Sequence, residues 1–469
     1  MVYREWFPAT LYLWFGHGEP RKTLSLILNL NPPSSNNGRN SRIMTTLSEA
    51  KSPDFSVKSL YSDYCKDMET YIMFRISARV VELTPDLEKK GLSPLKMSIG
   101  APTVEPPKAL LDYFVKSLSE PGVHTYSVPK GEKFLLDAIA QRMKTRFGVE
   151  VNPNTEVTSL LGSKEGLANM FRAIITPRLD KTERDIILTP DPGYASYVDA
   201  IEVAGGLSYP TPLNLENNYL PDMDAAVAAL KADGLEPARI KAVIINYPSN
   251  PIGATAPFEY YEKVVEFARR HKILLISDVA YSEMYFDGQE APYSILEVPG
   301  AKDLAIEFHS MSKPYAMTGW RIGFAVGNAD AVGILAKMKG TMDSGIFRAI
   351  QKTAAFALGS AECDEYIREC NKMYADNQKV MLAGFKRLGW PIEQLNPPKA
   401  TFYLWLPIPR NYTSCEKFAS DVLEQAGVVL VPGTAFGKTG EGFVRLSLVN
   451  PKHELEEVIN RMEQKGFVY

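Results

Sequence analysis

In "SMSKPYAMTGWRIGF" (310–324), Lys313 follows Ser310 and Ser312, and Arg321 comes eight residues later in a mostly apolar stretch. The plain reading is a surface loop leading into a half-exposed strand. The alternative is that both cations face one bound ligand. Other apolar runs also end in polar residues. After "KAVIINYP" (241–248) come Ser249, Asn250, Pro251, Ile252 and Gly253. After "KILLIS" come Asp278 and, three residues on, Tyr281; after "TSLL" come Gly162, Ser163 and Lys164. Taken singly, Asp278 could cap a helix, Asn250-Pro251 could make a turn, and Gly162-Ser163 could open a helix. Taken together they are complementary. A lysine forms an imine with an aldehyde, and a buried carboxylate keeps a pyridinium nitrogen protonated. A tyrosine and an asparagine hydrogen-bond a phenolate oxygen. Ser163 with the N–H groups of a helix start holds a phosphate, which Arg321 can grip bidentately. Pyridoxal 5'-phosphate requires this set.

Such residues act together only if the fold brings strand ends to one edge. From about 120 to 350 the chain alternates β-rich runs (157–162, 184–190, 241–248, 272–278, 304–310 and 321–327) with helical periods. In "FEYYEKVVEFARR" (258–270), Tyr261, Val264, Val265 and Ala268 fall at i, i+3, i+4 and i+7 and would line one face. Continuous apolar strands between amphipathic helices imply an α/β fold with a mainly parallel sheet covered on both faces. Ligands of such sheets bind beyond the carboxyl ends of the strands. After about 360 the pattern changes. A charged helical stretch (363–387) is followed by "TFYLWLPIP" (401–409), "GVVLVPG" (427–433), "GFVRLSLV" (442–449) and a closing helix, which reads as a smaller α+β domain. The expected division is an extension at 1–43, a segment at 44–118 joining the small domain, a large cofactor-binding domain at 119–350 and the small domain at 351–469.

The bulk composition restricts the alternatives. The 469 residues are 45% hydrophobic with a formal net charge of −3, so no global basic surface argues for nucleic acid. Cys65, Cys363, Cys370 and Cys415 form no C-x-x-C pair and the five histidines are scattered, so no metal site or disulfide framework is expected and a reducing, cytoplasmic setting is. In that setting the sequon Asn411-Tyr412-Thr413 is a chance match. No run approaches the roughly 20 apolar residues of a membrane helix. Residues 1–43 read differently, with "TLSLILNL" (23–30) followed by "NPPSSNNGRNS" (31–41). The plainer reading is an upstream extension with Met44 as the working initiator; organelle targeting is the alternative. Disorder or loose packing is expected there. "GTAFGKTG" (433–440) imitates a phosphate-binding loop, but three residues separate Gly433 and Gly437 where four are needed, so a turn is expected.

From about residue 70 onward the chain resembles the class I/II aminotransferases of the fold-type I pyridoxal-phosphate enzymes. The resemblance rests on motifs in order: "MSIGAP" with Gly100, "HTYSVPKG" with Tyr126, "DPGYASY" with Tyr194, N-P-x-G at Asn250–Gly253, D-x-x-Y at Asp278–Tyr281, S-x-S-K at Ser310–Lys313 with Arg321 and Gly323, and "FVRLSL" with Arg445. The resemblance implies the fold-type I transferase architecture, a large domain with a mainly parallel seven-stranded sheet plus a smaller α+β domain. Lys313, Asp278 and Tyr281 are then catalytic. Tyr126, Ser163, Lys164, Tyr194, Asn250, Ser310, Ser312 and Arg321 join them in holding the cofactor. Tyr194 would stack on its ring, and Tyr126 would reach the phosphate in a partner subunit, implying a homodimer. Gly100, Asn250 and Arg445 would meet the substrate, with Arg445 on its α-carboxylate.

Two stretches, "LGSKEGLANM" with Lys164 and "MDSGIFRAIQ" (342–351), are most similar to a branch that includes the LL-diaminopimelate aminotransferases. The implied exchange is between tetrahydrodipicolinate and glutamate in lysine biosynthesis. Aspartate- and alanine-type enzymes of the same family are the alternative. Other fold-type I activities, a β-lyase or a decarboxylase, share the cofactor residues. A non-catalytic pyridoxal-phosphate-binding regulator would need an N-terminal helix-turn-helix domain, and the 43-residue extension has no paired amphipathic helices.

Overall fold

Short apolar runs, each buried on both sides, make the centre of the fold. The computed structural model describes residues 56–62, 65 and 72–469, and the expectations for residues 1–43 lie outside them. Its strands are β1 (Leu95–Lys96), β2 (Val157–Leu160), β3 (Ile186–Asp191), β4 (Leu207–Pro212), β5 (Ile240–Ile245), β6 (Leu274–Asp278), β7 (Ala305–Ser310), β8 (Gly323–Gly327), β9 (Tyr403–Pro407), β10 (Val428–Val429), β11 (Val431–Pro432) and β12 (Phe443–Ser447). Seven of them form one sheet in the order β2-β8-β7-β6-β5-β3-β4. From β4 to β7 every pairing is parallel. Only β8 is reversed, antiparallel to both β7 and β2.

Strand residues alternate between two cores, as the pleat requires. Ile186, Leu188, Val243, Ile245 and Leu275 pack with the helices Lys133–Phe147 and Phe258–His271. Ile187, Ala242, Ile244 and Ile276 pack with Ser163–Ile174, Ser196–Val203 and Ala329–Lys339. The helix expected at 258–270 buries Tyr261, Val264, Val265 and Ala268, the face its spacing predicts. Pro257 precedes its first turn and Lys272, left-handed at φ 55°, ends it.

Strand β4 was not among the expected runs, because "LSYPTP" carries Pro210 and Pro212. Both are tolerated because β4 is an edge strand, paired among the described residues only with β3. The run at 427–433, expected as one strand, splits at Leu430 into β10 and β11, which belong to different sheets. Strand β10 pairs with β1, and β11-β12-β9 form an antiparallel sheet. The helices Ala361–Arg387, Cys415–Ala426 and Lys452–Gln464 pack around these strands with Phe402, Leu404, Val422, Val444 and Leu455. Residues Leu60–Tyr469 make one compact unit.

The carboxyl ends of β2, β5, β6 and β7 meet at one edge of the large sheet. Because β8 is reversed, its amino end lies at the same edge, with Ser310 opposite Gly323. The loop between β7 and β8 therefore returns Arg321 to the side where Lys313 stands.

Candidate active site

A cleft of about 520 Å³ opens at that edge. Gly100, Ser163, Lys164, Tyr194, Asn250, Asp278, Tyr281, Ser310, Ser312, Lys313, Arg321 and Arg445 all line it. Tyr126 does not; its side chain is 85% exposed on the surface of this chain. Among the described residues no cluster of His, Cys, Asp and Glu could hold a metal ion.

Asp278 closes β6 and is buried at the floor of the cleft. Its Oδ2 accepts a hydrogen bond of 2.6 Å from the Tyr197 hydroxyl, and its backbone carbonyl accepts one of 2.7 Å from Asn246 Nδ2. Its Oδ1 is buried with no hydrogen-bond partner among the described residues. Burial pushes this carboxyl up to about 6, while donation from Tyr197 and the Ala280 N–H and the charges of His309 and Lys313 hold it from rising further. A buried acceptor left without a donor is costly, and a ring N–H bearing positive charge would satisfy it. The residues present therefore fit a pyridinium cofactor.

Lys313, in the loop after β7, donates to the Gly100 carbonyl. Its Nζ lies 5.9 Å from the ring centroids of both Tyr281 and Phe402. Burial, then the neighbouring guanidinium groups of Arg445 and Arg321, bring its ammonium down to about 8. That places a free amine within reach near neutral pH.

The opposite wall suits a phosphate. The helix Ser163–Ile174 starts beside the cleft without a side-chain cap, so its first N–H groups are left for a ligand. Arg321 sits over this start with Nη2 donating to Leu161 O at 3.0 Å and Nη1 to Thr318 O at 2.8 Å. Its own backbone is left-handed (φ 57°), a strained conformation for a residue with a side chain. Gly162 has φ 85°, and a Cβ there would run into the Arg321 guanidinium. Burial brings the Lys164 ammonium down, and Asp199 partly offsets this. Ser310 Oγ accepts from the Ser312 N–H at 3.2 Å, shaping the loop that carries Lys313.

On the third side Arg445, from β12, is buried with its guanidinium carbon 4.4 Å from the Tyr403 ring and 4.7 Å from the Phe436 ring. Its Nη1 donates to Asn250 Oδ1 at 2.8 Å and its Nη2 to Ser98 O at 3.1 Å. Its Nε is buried without a partner among the described residues. The Tyr281 and Tyr403 hydroxyls share a 2.8 Å hydrogen bond. Gly100 faces this corner, where a Cβ would stand 3.3 Å from the Tyr403 hydroxyl and 3.8 Å from Arg445 Nη2.

Four residues beyond the sequence-derived set belong to this arrangement: Tyr197, Asn246, Tyr403 and Phe436. Asn246 ties two motifs together, since its Oδ1 accepts from the Asn250 N–H at 2.9 Å while its Nδ2 holds Asp278. Phe436 comes from 433–440, the false phosphate loop, which forms two short 3-10 turns beside the cleft. A signal existed only for Tyr197, which stands three residues after Tyr194 and so shares its side of the helix entry.

The model of the family described as aminotransferase class I and II matches residues 93–462. The chain is 41% identical over 381 residues to LL-diaminopimelate aminotransferase 2 of Trichormus variabilis, covering 81% of this chain and 93% of that protein. It is 39% identical over 399 residues to the LL-diaminopimelate aminotransferase of Moorella thermoacetica, covering 85% and 96%. Among solved structures, substrate-bound BacF from Bacillus subtilis superposes with a TM-score of 0.79 at 31% identity, over 87% of this chain and 98% of that one. An aspartate aminotransferase mutant from Thermus thermophilus gives 0.76 at 26% identity, over 86% and 99%.

Proposed function

This chain belongs to the class I and II aminotransferases and is a pyridoxal-phosphate-dependent transaminase, and from that premise we propose which residues carry the reaction and what they act on. The proposed reaction moves an amino group between LL-diaminopimelate and a 2-oxo acid. What supports this substrate is identity near 40%, over more than 80% of the chain, to enzymes bearing that name. What supports the residue assignment is one juxtaposition: a lysine with a depressed ammonium beside a buried carboxylate whose Oδ1 has no partner among the described residues.

When bound, pyridoxal phosphate supplies an aldehyde for amine exchange and a ring that accepts the electron pair released at the substrate Cα. Ser163, Lys164, Arg321 and the helix start hold its phosphate, and Ser310 and Ser312 shape the loop beside it. Tyr194 covers the ring. Asp278 Oδ1 accepts the ring N–H and keeps the proton there. Asn250 gives its Oδ1 to Arg445, which leaves its Nδ2 to donate to the ring oxygen, with the Tyr281 hydroxyl as second donor. Arg445 uses its remaining N–H groups on the α-carboxylate, against the Gly100 backbone. Lys313, as a free amine, carries the proton away from Cα.

In the proposed assembly two copies share their sites in the cytoplasm, with the exposed Tyr126 of each chain serving the other. Sedimentation at assay concentration should give a dimer, and Y126F should weaken cofactor binding without dissociating it.

The deciding experiment mixes the pyridoxal form with single amino acids and follows loss of its absorbance. LL-diaminopimelate and glutamate are expected to bleach it fastest. Rapid bleaching by aspartate alone would instead favour the aspartate-type reading, which the Thermus thermophilus likeness supports, and bleaching by alanine alone the alanine-type one. K313A should lose turnover altogether; retained activity would overturn the assignment. Formation of the 2-oxo acid product separates transamination from β-elimination or decarboxylation.

A further inference from the structure

Asp278 is held in a way that the transaminase reading does not itself explain. Its two carboxylate oxygens are not equivalent: Oδ2 is bonded at 2.6 Å to the Tyr197 hydroxyl, and Oδ1 has no partner among the described residues. Tyr197 is fully buried in the first turn of the helix Ser196–Val203, among Leu167, Ile201 and Ile276. Its ring meets that of Tyr194 edge-on, with centroids 5.5 Å apart and planes at 89°. One helix entry thus carries both the tyrosine that lines the cleft and the tyrosine that clamps the carboxylate. Burial, then Asp278 itself, push the Tyr197 phenol well above its ordinary range, so its proton stays on oxygen and can only be donated.

We infer that Tyr197 is a positioning residue for the reaction: its hydroxyl claims Oδ2 of Asp278, so that Oδ1 alone faces the cofactor's ring nitrogen and the proton stays on the ring. The inference rests on the placement of that nitrogen at Asp278 proposed above. A carboxylate that shares a hydrogen on one oxygen is less basic at the other. Without the Tyr197 donor, Asp278 competes better for the ring proton, and a neutral pyridine is the poorer acceptor of electrons. The clamp also has a steric part. Rotation of the carboxylate would exchange its two oxygens, and a hydrogen bond inside a close-packed core opposes that rotation. The other groups acting on Asp278 are the Ala280 N–H, His309 from β7 and Lys313, none of which lies on the helix that carries Tyr197.

The test is Y197F, which removes one buried oxygen and keeps the ring. In cofactor-free protein labelled with 13C at aspartate, the Asp278 titration, near 6 in the parent, should move upward by about one pH unit. In the loaded enzyme, 15N at the ring position should shift from the pyridinium towards the neutral pyridine range. The kcat should fall roughly tenfold or more while KM stays within about twofold. Superimposable Asp278 titrations in the two proteins would overturn the inference, as would an activity loss explained wholly by lower cofactor content. D278N separates the two levels of argument. If D278N shifts the 15N resonance and Y197F does not, only the role of Tyr197 falls; if neither shifts it, the placement of the ring at Asp278 falls as well.

Discussion

Replacing Lys313 by methionine in the cofactor-free protein tests the electrostatics of the cleft without using the reaction. The ammonium is brought from 10.5 down to about 8, first by burial and then by Arg445 and Arg321. The folded state therefore binds fewer protons than the unfolded chain between pH 8 and 10.5, and parent stability should rise with pH across that window. Below pH 8 the full penalty applies. A difference of 10.5 − 8 at about 1.36 kcal/mol per pH unit comes to roughly 3 kcal/mol. K313M has no charge to bury and should be more stable than the parent at pH 7, by up to that amount. The advantage should shrink steadily above pH 8 and level off past 10.5. Lost packing or a lost contact with the Gly100 carbonyl would add an offset that does not depend on pH, so the slope carries the argument. Urea unfolding of both proteins, stripped of cofactor, at several values between pH 7 and 10.5 supplies the measurement. A stability difference that stays flat across the window would refute the claim that burial and the two guanidinium groups together outweigh Asp278 and depress the Lys313 ammonium.

Two further substitutions probe the walls of the cleft. R445K keeps the charge but loses the planar fork held between Tyr403 and Phe436; kcat/KM should fall about 10- to 100-fold for the amino acid and the 2-oxo acid alike, since both carry the carboxylate. A loss confined to one of the two would count against this placement. G162A drives a Cβ towards the Arg321 guanidinium at a backbone angle that favours glycine, and titration with pyridoxal phosphate should show affinity weakened by about tenfold or more. Unchanged affinity would mean that Arg321 does not hold the phosphate.

The motifs were legible because cofactor chemistry demands particular residue types just past strand ends. Asp278, Lys313 and Asn250 are named by their own neighbours in sequence. Tyr403 is not: in "TFYLWLPIP" it reads as one more apolar strand residue, and only the fold carries its hydroxyl to Tyr281. Asn246 is similarly hidden inside an apolar run, because its value comes from bonding two segments distant in sequence. Strand β4 escaped for a different reason. Its prolines argue against a strand anywhere except an edge, and edge position is a property of the assembled sheet. The split of 427–433 into β10 and β11 likewise depends on which partners are offered to each half.

The reversed strand β8 also sets an order of assembly. Strand β2, which leads into Gly162 and Ser163, has only β8 as a neighbour among the described residues, and Leu160 pairs with Gly323 across the whole intervening chain. A long loop must therefore be closed before β2 can join the sheet, and that closure is slow compared with the nearer pairings of β5, β6 and β7. During synthesis the start of the helix Ser163–Ile174 emerges long before the strand that anchors it. The phosphate wall is thus expected to become structured only after β8 has been made, and a chain interrupted ahead of residue 323 should not form it.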